Sequence, residues 1–142
     1  LICLENHVDN TLATIDDYEA VFSRITSAHV GLCVDTGHFE AAGVALDDVV
    51  DRLGERVNHI HVKENKGFGV KNFTFFGAGD TDNAHLVERL LRSGYSGFVN
   101  VELSPEIGGG SASGTPPLDE LRKAFALFVR YATDEERETQ YA

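Results

Sequence analysis

Four short aliphatic runs, at residues 1–4, 30–34, 57–62 and 97–103, alternate along the chain with stretches of helical periodicity. That order restricts the fold severely. Strands separated by helix-length crossovers pair in parallel, and a parallel sheet needs helices to cover it. The intervening stretches supply them. Residues 14–27 open on Thr14-Ile-Asp-Asp17, a capping-box-like start with Asp in place of Glu, and carry Tyr18, Val21, Phe22 and Ile25 on one face. Residues 46–53 place Val49, Val50 and Leu53 on one side, and residues 84–91 do the same with Leu86, Val87, Leu90 and Leu91. Residues 106–117 are rich in Gly, Ser and Pro, which suits a surface loop. Pro117 is placed for the first turn of a closing helix that runs to about Tyr131. The reading is one α/β domain over residues 1–132 and a polar tail at 133–142.

Composition narrows the function classes. A chain of 142 residues with 42% hydrophobic and 25% charged residues is ordinary for a soluble globular domain. No apolar run reaches the roughly 20 residues of a membrane span. The start, Leu1-Ile-Cys-Leu-Glu5, meets charge too early for a signal peptide, so the expected location is cytoplasmic, with no membrane partner. The first residue is not Met and already lies in a strand-like run, and an amino-terminal portion is expected to precede it. A formal net charge of −11 argues against binding to nucleic acid through its phosphate backbone, which needs a stripe of Lys and Arg. Cys3 and Cys33 fall inside strands and read as small core residues.

Each strand-like run ends in residues for which a core has no use: Glu5-Asn6-His7, Asp35-Thr-Gly-His38, His59-Ile-His61-Val-Lys63, and Glu102. In parallel βα architectures such strand ends converge on one mouth, where the chemistry is done. Glu5, Asp35, His61 and Glu102 make a mixed oxygen and nitrogen set suited to one divalent ion, Mn²⁺, Mg²⁺, Co²⁺ or Zn²⁺. Strand alternation puts His59 and His61 on one face and Ile60 on the other. His61, nearer the strand end, is the expected ligand, and His59 a supporting or packed residue. Lys63, Lys66 and Lys71 read as surface lysines, with neutralisation of a substrate phosphate or carboxylate as the functional alternative. Gly77 and Gly79 read as a turn.

Five blocks in this order, Leu4-Glu5-Asn6-His7, Gly31-Leu-Cys-Val-Asp35-Thr-Gly-His38, Asn58-His-Ile-His61-Val-Lys63, Phe76-Gly77-Ala-Gly79-Asp80 and Gly94-Tyr-Ser-Gly97-Phe-Val-Asn-Val-Glu102, resemble the xylose isomerase-like superfamily of sugar isomerases and epimerases. That superfamily shares its TIM-barrel fold with the apurinic-site endonucleases. The resemblance implies a (β/α)8 barrel of which this chain is the C-terminal half, about four βα units. It implies one divalent metal on Glu5, Asp35, His61 and Glu102, with the two glutamates as a catalytic acid/base pair. It also implies His38 on a sugar oxygen. Of the three lysines, Lys63 is the candidate for a further substrate-binding residue, through neutralisation of a substrate phosphate or carboxylate. The chemistry implied is proton abstraction alpha to a carbonyl through a metal-stabilised enediolate, on a small-molecule carbohydrate. An inosose-type dehydratase of the same fold is the alternative. The lysine-aspartate of the family is Lys63-Glu64 here, and Gly67 stands where some ketose 3-epimerases carry Arg. An apurinic-site endonuclease would need further histidines and an aspartate after the His59-Ile-His61 strand, and residues 66–80 contain no His. A half-barrel with two open edges is expected to form a homo-oligomer or to be a non-catalytic or truncated piece.

Overall fold

The computed structural model describes residues 1–103 and 117–129. Strands β1 (Ile2–Glu5), β2 (Val30–Asp35), β3 (Val57–Val62) and β6 (Phe98–Val101) form one four-stranded sheet in the order β1-β2-β3-β6, every pairing parallel. Helices α1 (Ile15–Phe22), α3 (Leu46–Leu53) and α4 (Asn83–Arg92) lie in the crossovers, and α5 (Pro117–Phe128) begins on the proline expected to start it. The Gly- and Pro-rich stretch after residue 103 and the tail at 133–142 lie outside the described residues. No helix among the described residues is long and apolar enough to cross a membrane.

Alternation along the strands divides the sheet into two faces. Leu32, Val34, Ile60 and Val62 are buried beneath Tyr18, Phe22, Val49, Leu53, Leu86 and Leu90 of the helices, with Leu4, Val99 and Val101 partly buried beside them. The opposite, concave face carries Cys3, Glu5, Cys33, Asp35, His59, His61 and Asn100, with Phe98 78% exposed there. This is the face that lines the inside of a closed barrel.

One irregularity sets the parity of β3. Leu32 stands opposite Val57, but the next residue, Cys33, stands opposite His59, so Asn58 is bulged out of register. The bulge lets Val57 pack in the helix-covered core while His59 and His61 turn to the concave face. Gly31 makes room for it. A Cβ at residue 31 would fall 1.8 Å from Asn58 Nδ2 and 2.7 Å from the Arg56 carbonyl oxygen.

Several short elements were not anticipated, and one helix is shorter than its periodicity suggests. A six-residue helix, α2 (Thr36–Ala41), follows β2 without a loop, its first turn capped by Asp35, whose Oδ1 accepts the His38 N–H at 2.9 Å. Two-residue strands β4 (Glu64–Asn65) and β5 (Phe73–Thr74) pair antiparallel to form a small hairpin beyond β3. Helix α1 ends at Phe22, which leaves Ile25 outside it and 37% exposed instead of on the core stripe. The start of α1 is as expected: the Asp17 carboxylate accepts from the Thr14 N–H at 2.8 Å and from Thr14 Oγ1 at 2.8 Å.

Substituting Gly31 by Ala drives a methyl into the Asn58 side chain and against the Arg56 carbonyl oxygen, and overpacking of that kind costs about 1–3 kcal/mol. The expected result is a lower urea midpoint for Gly31→Ala at an unchanged denaturant slope. An unchanged midpoint would show that the bulge does not need the space.

Candidate metal centre

The strand ends bring together the four residues that the sequence singled out. Glu5, Asp35, His61 and Glu102 each offer a ligand atom, and these atoms all lie within 4.8 Å of one another. His61 Nδ1 is 2.6 Å from Glu5 Oε1 and 2.9 Å from Glu102 Oε2. The cluster is graded in exposure: the Glu5 side chain is 43% exposed, Glu102 35%, His61 24% and Asp35 fully enclosed.

Asp35 sits deepest and is the most constrained. Its backbone is clamped by the buried side chain of Asn6, which accepts the Asp35 N–H at 2.7 Å and donates to the Asp35 carbonyl oxygen at 2.9 Å. That reciprocal amide bridge ties the end of β1 to the end of β2. Asp35 Oδ2 is buried and accepts no hydrogen bond; the Lys63 ammonium lies 3.1 Å away, off hydrogen-bonding geometry. Burial pushes the Asp35 carboxyl up to about 6, against the pull of Lys63.

Lys63 is not at the surface, contrary to the expectation for it: it is 3% exposed. Its Nζ lies 2.6 Å from Glu102 Oε1 and 3.1 Å from His38 Nε2, and 4.9 Å from the centre of the Phe73 ring. Burial opposes the charge, but Asp35 and Glu102 hold the ammonium above its ordinary range. Glu102 is kept below the usual carboxylate range in spite of burial, by the hydrogen bond and charge of Lys63. His38 is pushed down to about 3 by burial and by the Lys63 charge, which keeps its imidazole neutral.

The remaining polar residues frame the mouth. The His38 ring lies between His7, centroids 3.8 Å apart, and Phe73, 4.6 Å away edge-on. The Val8 N–H reaches His38 Nδ1 at 3.3 Å. His7 thus lies at the mouth, and Phe73 reaches it from the hairpin. His59 meets the Asn100 side chain at 2.9 Å and stacks edge-on against His61, so it supports the cluster's histidine. Asn6 and Phe73 were assigned no role from the sequence. Asn6 stands next to Glu5 and could have been noticed as a buried amide at a strand end, whereas nothing in the local pattern marks Phe73.

The donor chemistry fits a divalent cation. Three carboxylates and one imidazole form an oxygen-rich set of the kind bound by Mn²⁺, Mg²⁺, Co²⁺ or catalytic Zn²⁺. The enclosed Asp35 Oδ2 accepts no hydrogen bond and has only the Lys63 ammonium as a charged neighbour, which leaves it a lone pair to offer a cation. A second grouping, Cys33 with His59 and His61, is equally close-set. Burial pushes the Cys33 thiol up to about 12, however, so a cation there would first have to displace a tightly held proton, which the carboxylate set does not require to the same degree.

Residues 1–131 match the family described as the xylose isomerase-like TIM barrel. The chain belongs to this family. It is 32% identical over 114 residues to an inosose dehydratase of Mesomycoplasma hyopneumoniae strain 7448, a stretch that covers 68% of this chain and 38% of that protein. Among solved structures it superposes on the IolI protein with a bound zinc atom, with a TM-score of 0.69 at 23% identity over 91% of this chain and 48% of that one. It also superposes on a D-tagatose 3-epimerase-like protein, with a TM-score of 0.70 at 20% identity over 99% of this chain and 49% of that one. The match therefore spans well under half of the curated relative and about half of each of the two solved structures.

Because the Asp35 carboxyl sits near 6 in the fold against 3.8 ordinarily, the folded state holds that proton more tightly than the unfolded state. In the metal-free protein the contribution of Asp35 to stability therefore falls as pH rises from about 4 to about 6 and stays low above it. The stability of the wild type measured relative to Asp35→Asn should decline over that interval. Urea midpoints that run parallel for the two proteins from about pH 4 to about pH 7 would contradict this assignment.

Proposed function

We propose that this chain supplies the metal-binding half of a divalent-metal-dependent sugar or polyol isomerase or epimerase, which acts by moving a proton alpha to a carbonyl. The observation that carries the reading is the convergence of four donor atoms from four strand ends within 4.8 Å. Glu5, Asp35, His61 and Glu102 would hold the ion. A cation bound there would supply Lewis-acid stabilisation of the negative charge that develops on the substrate's oxygens when the proton leaves.

The protein's own residues account for the remaining steps. Glu5 and Glu102 stand at the ends of β1 and β6, the two outer strands of the sheet, with β2 and β3 between them. Two carboxylates approaching from opposite sides of one mouth suit a pair in which one removes the proton and the other returns it, at the neighbouring carbon or on the other face. Lys63 keeps Glu102 ionised, as a base must be near neutral pH. His38 is held neutral beside the Lys63 ammonium, and since a neutral imidazole has a single acceptor nitrogen it cannot accept from both the Val8 N–H and Lys63. A substrate hydroxyl that takes the place of one of them would meet a ring nitrogen suited to bond it. The His7 and Phe73 rings pack beside the imidazole and would border a substrate held there.

A dehydratase of the inosose type is the second reading, favoured by the similarity to the inosose dehydratase of Mesomycoplasma hyopneumoniae. It starts with the same proton removal and then expels a hydroxide as water, so the same carboxylates serve both. The chain's span of about half its relatives' length makes the substrate and the completed reaction matters for the assembled barrel.

Calorimetry with Mn²⁺ tests the site directly. One-site binding is expected in the wild type and at least about tenfold weaker binding in Glu102→Gln and His61→Ala, since each removes a ligand. Where turnover is obtained with ketoses or inososes in deuterated water, Glu102→Gln should lower the rate by about 10²-fold or more. Deuterium in a recovered sugar favours the isomerase or epimerase, and loss of water from the product favours the dehydratase. A folded wild type that binds no Mn²⁺ would dispose of the site in this chain.

A further inference from the structure

Lys63 is built into the centre more thoroughly than a substrate-binding lysine would be. Its side chain is 4% exposed and its ammonium faces Glu102 Oε1 at 2.6 Å and Asp35 Oδ2 at 3.1 Å, which belong to two of the four proposed ligands. The stem is threaded past Gly37, where a Cβ would fall 2.8 Å from Lys63 Cγ. Thr36 Oγ1 accepts the Lys63 N–H at 2.9 Å and lies 2.6 Å from Asn83 Oδ1, and Asn83 Nδ2 donates to the Lys63 carbonyl oxygen at 3.3 Å. Main chain, stem and head are each held by separate partners. A side chain fixed in this way, with its charge spent on the ligand set, has no freedom to reach outward for a substrate anion.

From this arrangement we infer that Lys63 is a positioning residue of the metal centre, which limits Glu102 to one free oxygen and sets the charge of the ligand set to match a divalent ion. The inference rests on the reading of Glu5, Asp35, His61 and Glu102 as metal ligands. Two consequences follow from the geometry. Glu102 has Oε1 engaged by Lys63 and Oε2 turned to His61, so it can present a single oxygen to a cation and cannot chelate through both. Three carboxylates and one ammonium carry a formal charge of −2, which one divalent cation cancels. Without the lysine the charge is −3, a better match for a trivalent ion.

The two ions respond differently, and that difference separates this role from a merely structural one. Damage to the site weakens Mn²⁺ and Tb³⁺ together, whereas removal of one positive charge a few ångströms away favours the trivalent ion more. Lys63→Met keeps the stem and removes the charge. In Lys63→Met the ratio of Tb³⁺ to Mn²⁺ affinity, from sensitised terbium luminescence and Mn²⁺ competition, should rise at least about tenfold over the wild type. Lys63→Arg should keep the ratio nearer the wild-type value. An unchanged ratio in a folded Lys63→Met overturns the inference while leaving the metal site standing. Absence of Mn²⁺ binding in the wild type removes the site itself. A measurement on the unaltered protein holds whether or not Lys63→Met folds: the Lys63 ammonium resonance in ¹⁵N NMR should remain protected from exchange, and shift, on addition of Mg²⁺. Its loss on metal addition would mean that the cation displaces the lysine, and the inference would fail.

Discussion

Everything at the mouth depends on strand parity. A β-strand turns successive side chains to opposite faces, and in this sheet one face is sealed by helices while the other carries the polar cluster. A shift of one residue in any strand would bury its carboxylate or histidine against the helices and turn a valine or leucine into the mouth. The bulge at Asn58 is where that constraint is met locally. It reconciles Val57, which belongs to the core, with His59 and His61, which do not, and Gly31 is the neighbour that tolerates it.

The next constraint is electrostatic. Enclosing a carboxylate and an ammonium is costly unless each finds the other or a set of dipoles. Asp35 and Lys63 solve this together with Glu102, and the Asn6 amide holds the backbone so that Asp35 cannot retreat toward water. The half-exposed Glu5 carries far less of this burden. The centre therefore has a rigid inner side, formed by β2 and β3, and a more accessible outer side on β1.

Much of this was legible in the sequence, and for physical reasons. Strands and crossover helices are read through period and spacing, and polar residues at four strand ends have no bland explanation in common, so Glu5, Asp35, His61 and Glu102 stand out in the sequence alone. Helix α2 was not legible because six residues that include Thr36, Gly37 and His38 show no apolar stripe. The β4–β5 hairpin was missed because strands of two residues are too short to alternate visibly. Ile25 kept the helical spacing of α1 in sequence but lies beyond its end. Lys63 was misplaced because a lysine in isolation belongs at the surface; only the carboxylates of distant strands make a buried one tolerable, and no local pattern reports them.

Asp35 closes the first turn of α2 through the main chain of His38, and also contributes an enclosed oxygen to the cluster. One carboxylate thus fixes both its own rotamer and the start of the helix that carries the His38 ring. The two side chains share a single rigid turn, so their orientations are not independent variables. In genetic terms the block from Asp35 to His38 should behave as one inherited unit. Changes at its two ends would be strongly epistatic, and a lineage altering the substrate preference of such a centre would find Phe73 or His7, which touch His38 only through their rings, easier to vary.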